Sequence, residues 1–364
     1  MTPIGIVADL HVHTLASPCA YSTLAEMVEA AVQRGLKALA ITDHGPGLQG
    51  GLDRFQFQFP TVLPKEHRGV QLYHGVEANI LDAGGDLDLH GSELAALDLV
   101  VAGLHPGTAY RGSSTEEHTR AVVAAMENPA VRIISHPHNM HFPVQMEEVV
   151  PAAVRTGTWL ELNHRYMGGS GNPEALTQSR TMLRLAAEQG ARICVNSDSH
   201  FMAGVGQVAN ALALLDEVGF PAELVVNSGT LELDAAIRTP KHFLDPEVEE
   251  RLVFLTENDL LDPDFLPVLH RGVDLVQAGI GKVLTGENAV MFVTHLASTV
   301  NRLCGKEPEF AELDPLVAAE IKGQAPSLFY LVDHLIALLD EQCPVQVTEV
   351  ERLLFVAHVA VLAS

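Results

Sequence analysis

The sequence predicts an α/β chain: a distorted seven-stranded (β/α) barrel followed by an all-α helical domain. Seven short runs, each apolar first and polar last, alternate with helix-like stretches up to about residue 238. Near-continuous apolar strands are those of parallel sheets buried on both faces. From about residue 245 the strand pattern stops and apolar residues recur every three or four, the period of amphipathic helices. We therefore expect two domains, 1–238 and 245–364, with Pro240 and Asp245-Pro246 marking the linker.

The strand runs are 4–13, 38–45, 69–80, 97–106, 131–138, 158–165 and 191–200. Helix-like stretches fall at 23–34, 114–127, 147–156, 173–189 and 207–218. The first is the best marked: Thr23 and Glu26 make a capping box and Gly35 stands at the C-terminal stop. Seven strand-then-helix units are the grammar of a barrel, whose active site lies at the C-terminal ends of its strands. The second half shows about five apolar stripes, among them Leu269, Val273, Val276 and Ile280, and Val293, Leu296, Val300 and Leu303.

Composition narrows the function. The 364 residues carry 46 acids against 22 bases, a formal charge of −24. Affinity for phosphate backbones rests on Lys and Arg, so neither nucleic acid nor an anionic membrane surface is an expected partner. The acidity is even: both halves carry −12, from 26 acids and 14 bases up to residue 240 and 20 acids and 8 bases beyond it. Four scattered cysteines (Cys19, Cys194, Cys304, Cys343) make no disulfide framework. With no signal-like N-terminus and no run of about 18 apolar residues, a cytoplasmic protein is expected.

Histidine is the outlying residue: 13 of the 18 fall before residue 201. The first strand ends His11-Val12-His13, and residues i and i+2 of a strand face one way. The second ends Thr42-Asp43-His44, the fourth at His105 and the fifth at His136; the seventh ends Asp198-Ser199-His200. The third carries His74 and Glu77, which face opposite sides, and Glu77 is the preferred ligand. Six of seven strand ends thus deliver nitrogen or oxygen donors to one rim. Imidazole with carboxylate suits zinc, manganese or iron, and the number of donors exceeds what one ion takes. His67, His90, His118, His242 and His270 read as ordinary surface histidines.

The ordered strings DLHVHTLASPCAYST, AITDHGP, GVEANI, AGLH, IISHP and NSDSH resemble the PHP (polymerase and histidinol phosphatase) superfamily, nearest to stand-alone bacterial phosphatases of the YcdX type with a trinuclear zinc site. The resemblance spans about residues 4–230. It implies that His11 and His13 hold one ion with Glu77 and Asp198, that His44 and His200 hold a second, and that Glu77 bridges to a third held by His105 and His136. Cys19 stands where the family usually has a histidine, and a thiolate is a competent ligand for the second ion. The cofactor implied is up to three Zn2+, with Mn2+ or Fe2+ as alternatives. The implied reaction is hydrolysis of a small phosphorylated metabolite, with His11, His13, Glu77 and Asp198 as its catalytic set. His138, His141, His164 and Arg165, just past the fifth and sixth strands, are candidates for substrate contact or leaving-group protonation; none stands out as the general acid. Rival readings are a metal-loaded sensor of a phosphorylated sugar and a metal-dependent amide or lactone hydrolase.

The strings FVTHLASTVNRL (292–303), LDPLVAAEIKGQAPSLFYLVDHL (313–335) and VTEVERLLFVAHVAV (347–361) resemble the PTS regulation domain, PRD. That resemblance implies a homodimer, a phosphocarrier protein of the sugar phosphotransferase system as partner, and phosphorylation at His295 and His358.

Overall fold

The computed structural model describes residues 4–58, 63–90, 92–167, 173–229, 233–238, 245–258, 260–280, 283–303, 314–323, 326–340 and 347–363. Pro240, His242, Cys304, Cys343 and parts of the 313–335 string lie outside them. The chain divides into two compact units, 1–89 with 97–241 and 90–96 with 242–364. Among the described residues no helix is long and apolar enough to cross a membrane.

The first unit runs β1 (Ala8–Val12), α1 (Leu24–Arg34), β2 (Ala38–Ile41), β3 (Glu66–His67) and β4 (Val70–Asn79). The short α2 (Ser92–Ala95) belongs to the second unit. Then follow β5 (Leu99–Gly103), α3 (Thr115–Met126), β6 (Val131–Ile134), α4 (Met146–Thr156), β7 (Trp159–Asn163), α5 (Pro173–Gln189), β8 (Ile193–Asn196), α6 (Ala209–Val218) and α7 (Leu233–Arg238). Seven strands pair in parallel in the order β1-β2-β4-β5-β6-β7-β8, and β3 adds antiparallel to β4. The capping box of α1 forms as the sequence predicts, and Gly35 ends the helix with φ 70°, a left-handed conformation that favours glycine.

Alternation sets the interior. Ala8, Leu10, Ala38, Ala40, Tyr73, Leu99, Val101, Ile133, Trp159 and Cys194 pack into one buried cluster. On β4, β7 and β8 the same parity runs on to the buried polar residues Glu77, Glu161 and Asn196, whereas on β1 the register shifts between Asp9 and Val12, and His11 and His13, of opposite parity to Ala8 and Leu10, face the mouth. β8 returns to β1 without a full ladder. A parallel bridge joins Val12 to Ser199, and side-chain amides close the rest. Asn196 Oδ1 accepts the N–H of Leu10 at 3.0 Å. Asn227 Oδ1 accepts the N–H of Val195, and its Nδ2 donates to the carbonyls of Ala8 and Val195.

Two crossovers depart from the predicted strand–helix alternation. Between β2 and β4 the described residues hold only a 3-10 turn (Arg54–Gln58) and β3. The segment HGPGLQGG is too rich in glycine and proline to hold a helix. Between β4 and β5 the one helix among the described residues is the short α2.

The second unit contains α8 (Pro246–Glu257), α9 (Leu266–Ile280), α10 (Gly286–Leu303), α11 (Pro315–Lys322), α12 (Pro326–Asp340) and α13 (Glu349–Ala363). Its core is built on Leu252, Leu269, Val273, Phe292, Leu296, Leu335, Phe355 and Val356. The predicted stripes become α8, α9, α10, α12 and α13. The additional helix, α11, leaves Leu316 and Val317 exposed, so no stripe announces it. Arg302 and Glu351 form a buried ion pair, and Glu351 also accepts the N–H and hydroxyl of Thr348 at the start of α13. A buried pair so held is costly to break from one side.

The amide seam gives a first prediction. Asn227→Ala removes three buried hydrogen bonds at about 1 kcal/mol each, so the barrel is expected to lose roughly 3 kcal/mol. Trp159, the single tryptophan and a member of the barrel interior, reports this as a lowered urea midpoint in its fluorescence.

Candidate metal centre

The strand ends bring their imidazoles into one ring-to-ring cluster. Centroids of His11 and His13 lie 5.0 Å apart, His13 and His44 4.5 Å, His13 and His200 4.4 Å, His44 and His105 5.0 Å, and His105 and His136 5.2 Å. Glu77 sits at its centre, 1% exposed. Its oxygens lie 3.0 Å from His44 Nδ1, His105 Nε2 and His136 Nε2, and 3.3 Å from His11 Nε2. Asp198 Oδ1 is 3.3 Å from His13 Nε2 and 3.4 Å from His200 Nδ1. Three overlapping groups have donor atoms close enough to share an ion: His11, His13 and Asp198; His13, His44 and His200; His44, Glu77 and His105.

The far sides of the rings decide which atoms face inward. His11 Nδ1 meets Glu161 Oε1 at 2.7 Å, so the imidazole donates there. Ser17 Oγ donates to Asp43 at 2.6 Å and therefore accepts from His13 Nδ1, 3.2 Å away. His105 Nδ1 donates to Asn79 Oδ1 at 2.8 Å. In each of these three rings Nε2 is therefore the nitrogen that faces inward. The Nε2 atoms of His11 and His13 lie 3.1 Å apart and that of His105 lies 3.0 Å from Glu77 Oε1, contacts that a proton on His11 or His105 bridges. Metal binding displaces such protons, and nitrogens and carboxylate oxygens turned inward by partners behind them are a donor set that fits divalent ions.

The carboxylates also act on protons. Burial pushes His11 down, but Glu161, Glu77 and Asp198 hold it well above the ordinary imidazole value. Burial pulls His44 down, but the Glu77 carboxylate and the Cys19 sulfur together outweigh it and raise it to about 10. His13 is governed by burial and falls to about 3. Burial opposes the ionisation of Glu77, yet His105, His11 and His44 hold it well below the usual carboxylate range. Burial likewise opposes ionisation of Asp198, and the neighbouring His11 and His13 keep it low. The backbone is strained at two of these residues: His136 has φ 34° and Asp198 φ 53°. The His136 N–H donates to Glu161 Oε2 at 2.8 Å, one of the bonds that hold this uncommon conformation.

The remaining candidates fall around this cluster. Cys19 is exposed. Burial raises its pKa, but hydrogen bonds with His200 and His44 lower it to about 6, so its sulfur stands beside the group for which the sequence predicts it. Arg165 places Nη1 2.8 Å from His200 Nδ1 and 3.9 Å from Asp198 Oδ1, with half its side chain exposed. His138 is buried, and its Nε2 accepts the N–H of Asn163 at 3.0 Å. Its proton therefore sits on Nδ1, a buried atom with no partner among the described residues, and burial holds the ring neutral with a pKa of about 4. That makes His138 a fixed hydrogen-bond donor, poorly suited to leaving-group protonation. His164 lies in the 3-10 turn after β7 and is lowered by burial; His141 is exposed. His74 has the parity opposite to Tyr73 and Glu77 and lies off the cluster. His67 and His90 are exposed and His270 is half-buried. His118 is a correction: it is 5% exposed, with Nδ1 3.1 Å from the Pro143 carbonyl and Nε2 3.3 Å from that of Gly112. It ties two loops together, and its place on a mixed helix face hides this in the sequence. In the second unit His295 and His358 come together across α10 and α13, ring centroids 5.0 Å apart. Burial, then the neighbouring His358, brings His295 to about 4.

Sequence reasoning missed Glu161. It is fully buried and bonds His11, the N–H of His136, and the side-chain amides of Asn163 and Asn196. The signal was present: an acid inside the apolar run TWLELN must have partners, since an unpaired buried charge is expensive. Ser17, Asp43, Asn79 and Asp88 were missed with it.

The mouth of this parallel barrel gathers imidazoles and carboxylates in groups that could hold metal ions. The family description PHP domain matches residues 9–168. A probable phosphatase of Acetivibrio thermocellus is 40% identical over 236 residues, 65% of this chain and 96% of that protein. One from Caldanaerobacter subterraneus is 37% identical over 232 residues, 62% and 88%; one from Syntrophotalea carbinolica is 38% identical over 224, 62% and 92%. The chain belongs to the PHP family. A crystal structure of histidinol phosphate phosphatase from Lactococcus lactis, complexed with zinc, L-histidinol and phosphate, covers 59% of this chain at 18% identity with a TM-score of 0.45.

Glu161→Gln keeps the shape but weakens the acceptor that turns His11. It is expected to lower zinc affinity about tenfold to a hundredfold, the usual range when a ligand loses its supporting partner, as read by competition with a chelating dye.

Proposed function

We propose that this chain is a metal-dependent phosphatase that hydrolyses a small phosphorylated metabolite at the mouth of its barrel. The observation that carries the reading is the inward convergence of imidazole nitrogens and carboxylate oxygens around Glu77. His11, His13, Glu77 and Asp198 would hold one ion, Cys19, His44 and His200 a second, and Glu77 with His105 and His136 a third. Glu77 lies within 3.5 Å of five imidazoles, as suits a shared carboxylate. The imidazole, carboxylate and thiol set favours zinc, with manganese or iron as alternatives. Bound divalent ions would supply Lewis acidity, lowering the pKa of water and offsetting phosphoryl charge.

The chain's own residues orient the substrate. Arg165 offers guanidinium donors at the rim and suits a phosphoryl oxygen. The Nδ1–H of His138 and the ring of His164 are further donors for it. Relatives named probable phosphatases support the reaction class. The net charge of −24 favours a small ester over a long polyanion, and the free thiol of Cys19 suits a reducing cytoplasm. The second unit is read as a PRD-like module: it would form the homodimer and accept phosphate on His295 or His358 from a phosphotransferase-system carrier. The packing of His295 against both His358 and Phe355 means that an added dianionic group would force α10 and α13 to repack.

The test is phosphate release from a panel of sugar and amino-alcohol phosphates. His11→Ala and Asp198→Ala are expected to lower turnover at least about a thousandfold, several kcal/mol of lost charge stabilisation. Tight binding without turnover by the fully metallated protein would instead point to a sensor, and turnover of non-phosphate substrates alone would refute the phosphatase reading. Elemental analysis is expected to give close to three ions per chain and about one fewer in Cys19→Ala. Incubation with phosphoenolpyruvate and the general phosphocarriers is expected to yield phosphohistidine by mass spectrometry in the intact chain and none in the double variant His295→Ala, His358→Ala.

A further inference from the structure

We propose that Asp88 and Asn79 form a positioning latch that keeps His105 protonated at Nδ1, so that Nε2 is the nitrogen it presents to Glu77. Asp88 lies in the loop after β4 and is 2% exposed. Its Oδ1 accepts the backbone N–H of Asn79 at 2.9 Å, and its Oδ2 accepts both the side-chain amide of Asn79 and the N–H of Gly47 at 2.7 Å. The same Asn79 amide nitrogen donates to the Gly45 carbonyl at 3.3 Å. With its nitrogen claimed on two sides by acceptors, the amide has one orientation, and Oδ1 must face His105. The ring can meet that oxygen only as a donor, through Nδ1 at 2.8 Å.

The latch also joins two ligand-bearing segments. Gly45 and Gly47 follow His44, and Asp88 presses against both: a Cβ on Gly45 would lie 2.5 Å from Asp88 Oδ2, and one on Gly47 2.9 Å from Asp88 Cβ. Those glycines let the loop approach the carboxylate closely enough for Gly47 to donate. One buried acid thus sets the path of the chain beyond His44 and, through Asn79, the face that His105 presents. Asn79 meets the cluster at the outer nitrogen of His105, and Asp88 acts through Asn79.

The consequence for metal holding rests on the metal reading above, while the tautomer does not, so the two are tested separately. Nitrogen-15 spectra of the imidazoles in metal-free protein are expected to show His105 with a protonated Nδ1. In Asn79→Ala that proton is expected to leave Nδ1, with the ring then protonated at Nε2 toward Glu77 and His13 unchanged as the control for folding. A zinc competition titration is expected to show a tenfold to hundredfold loss of affinity in Asn79→Ala. A wild-type His105 with a bare Nδ1, or an Asn79→Ala variant with unaltered Nδ1 protonation and zinc affinity, overturns the latch. If the wild type binds no zinc, the metal reading falls, and the spectra alone decide whether the latch exists.

Discussion

Hydrogen bonds on the outer side of the imidazoles govern the centre. A neutral imidazole has one proton and two nitrogens, so the nitrogen that donates outward fixes the one that faces in. Glu161, Ser17 and Asn79 take those outward protons from His11, His13 and His105. Behind them stand Asp43 and Asp88, each nearly buried and each accepting several N–H or O–H groups. The inner nitrogens are therefore close to one another and to Glu77, held there by rings clamped from behind.

Strand parity explains why much of this was legible. His11 and His13, and Asp198 and His200, announce themselves as pairs two residues apart at the polar end of an apolar run, and the structure gathers them with His44, Glu77, His105 and His136. What lies behind them was less legible. A single glutamate in TWLELN or an asparagine in GVEAN carries no spacing signal, because its partner lies on another strand. Glu161 is 150 residues from His11, and Asp43 is 26 from Ser17. The amide seam is hidden for the same reason: Asn227 bonds Ala8 across 219 residues.

The missed features of the fold have equally local causes. The crossover from β2 to β4 lacks an α-helix among the described residues because its glycines serve the approach to Asp88 rather than a helix. α11 escaped notice because Leu316 and Val317 point outward, and an apolar stripe is the sign by which a helix is read. His118 was taken for a surface residue because α3 presents a mixed face and its two carbonyl partners lie in loops. In the second unit, the stripes of α10 and α13 were plain in the sequence, whereas the ion pair of Arg302 with Glu351 unites residues 49 apart that no local pattern links.

The seam between β1 and β8 has a bearing on how the protein is made. His11 and His13 are made before their partner Asp198 and before the wedge that closes the wall, Asn227, which follows Ala8 by 219 residues. A nascent chain holding the first six parallel strands has most of the donors and neither the final carboxylate nor a shut cylinder around them. The mouth is complete only once residue 227 is made, when the first-made and last-made strands of the barrel meet and most of the second unit is still to come.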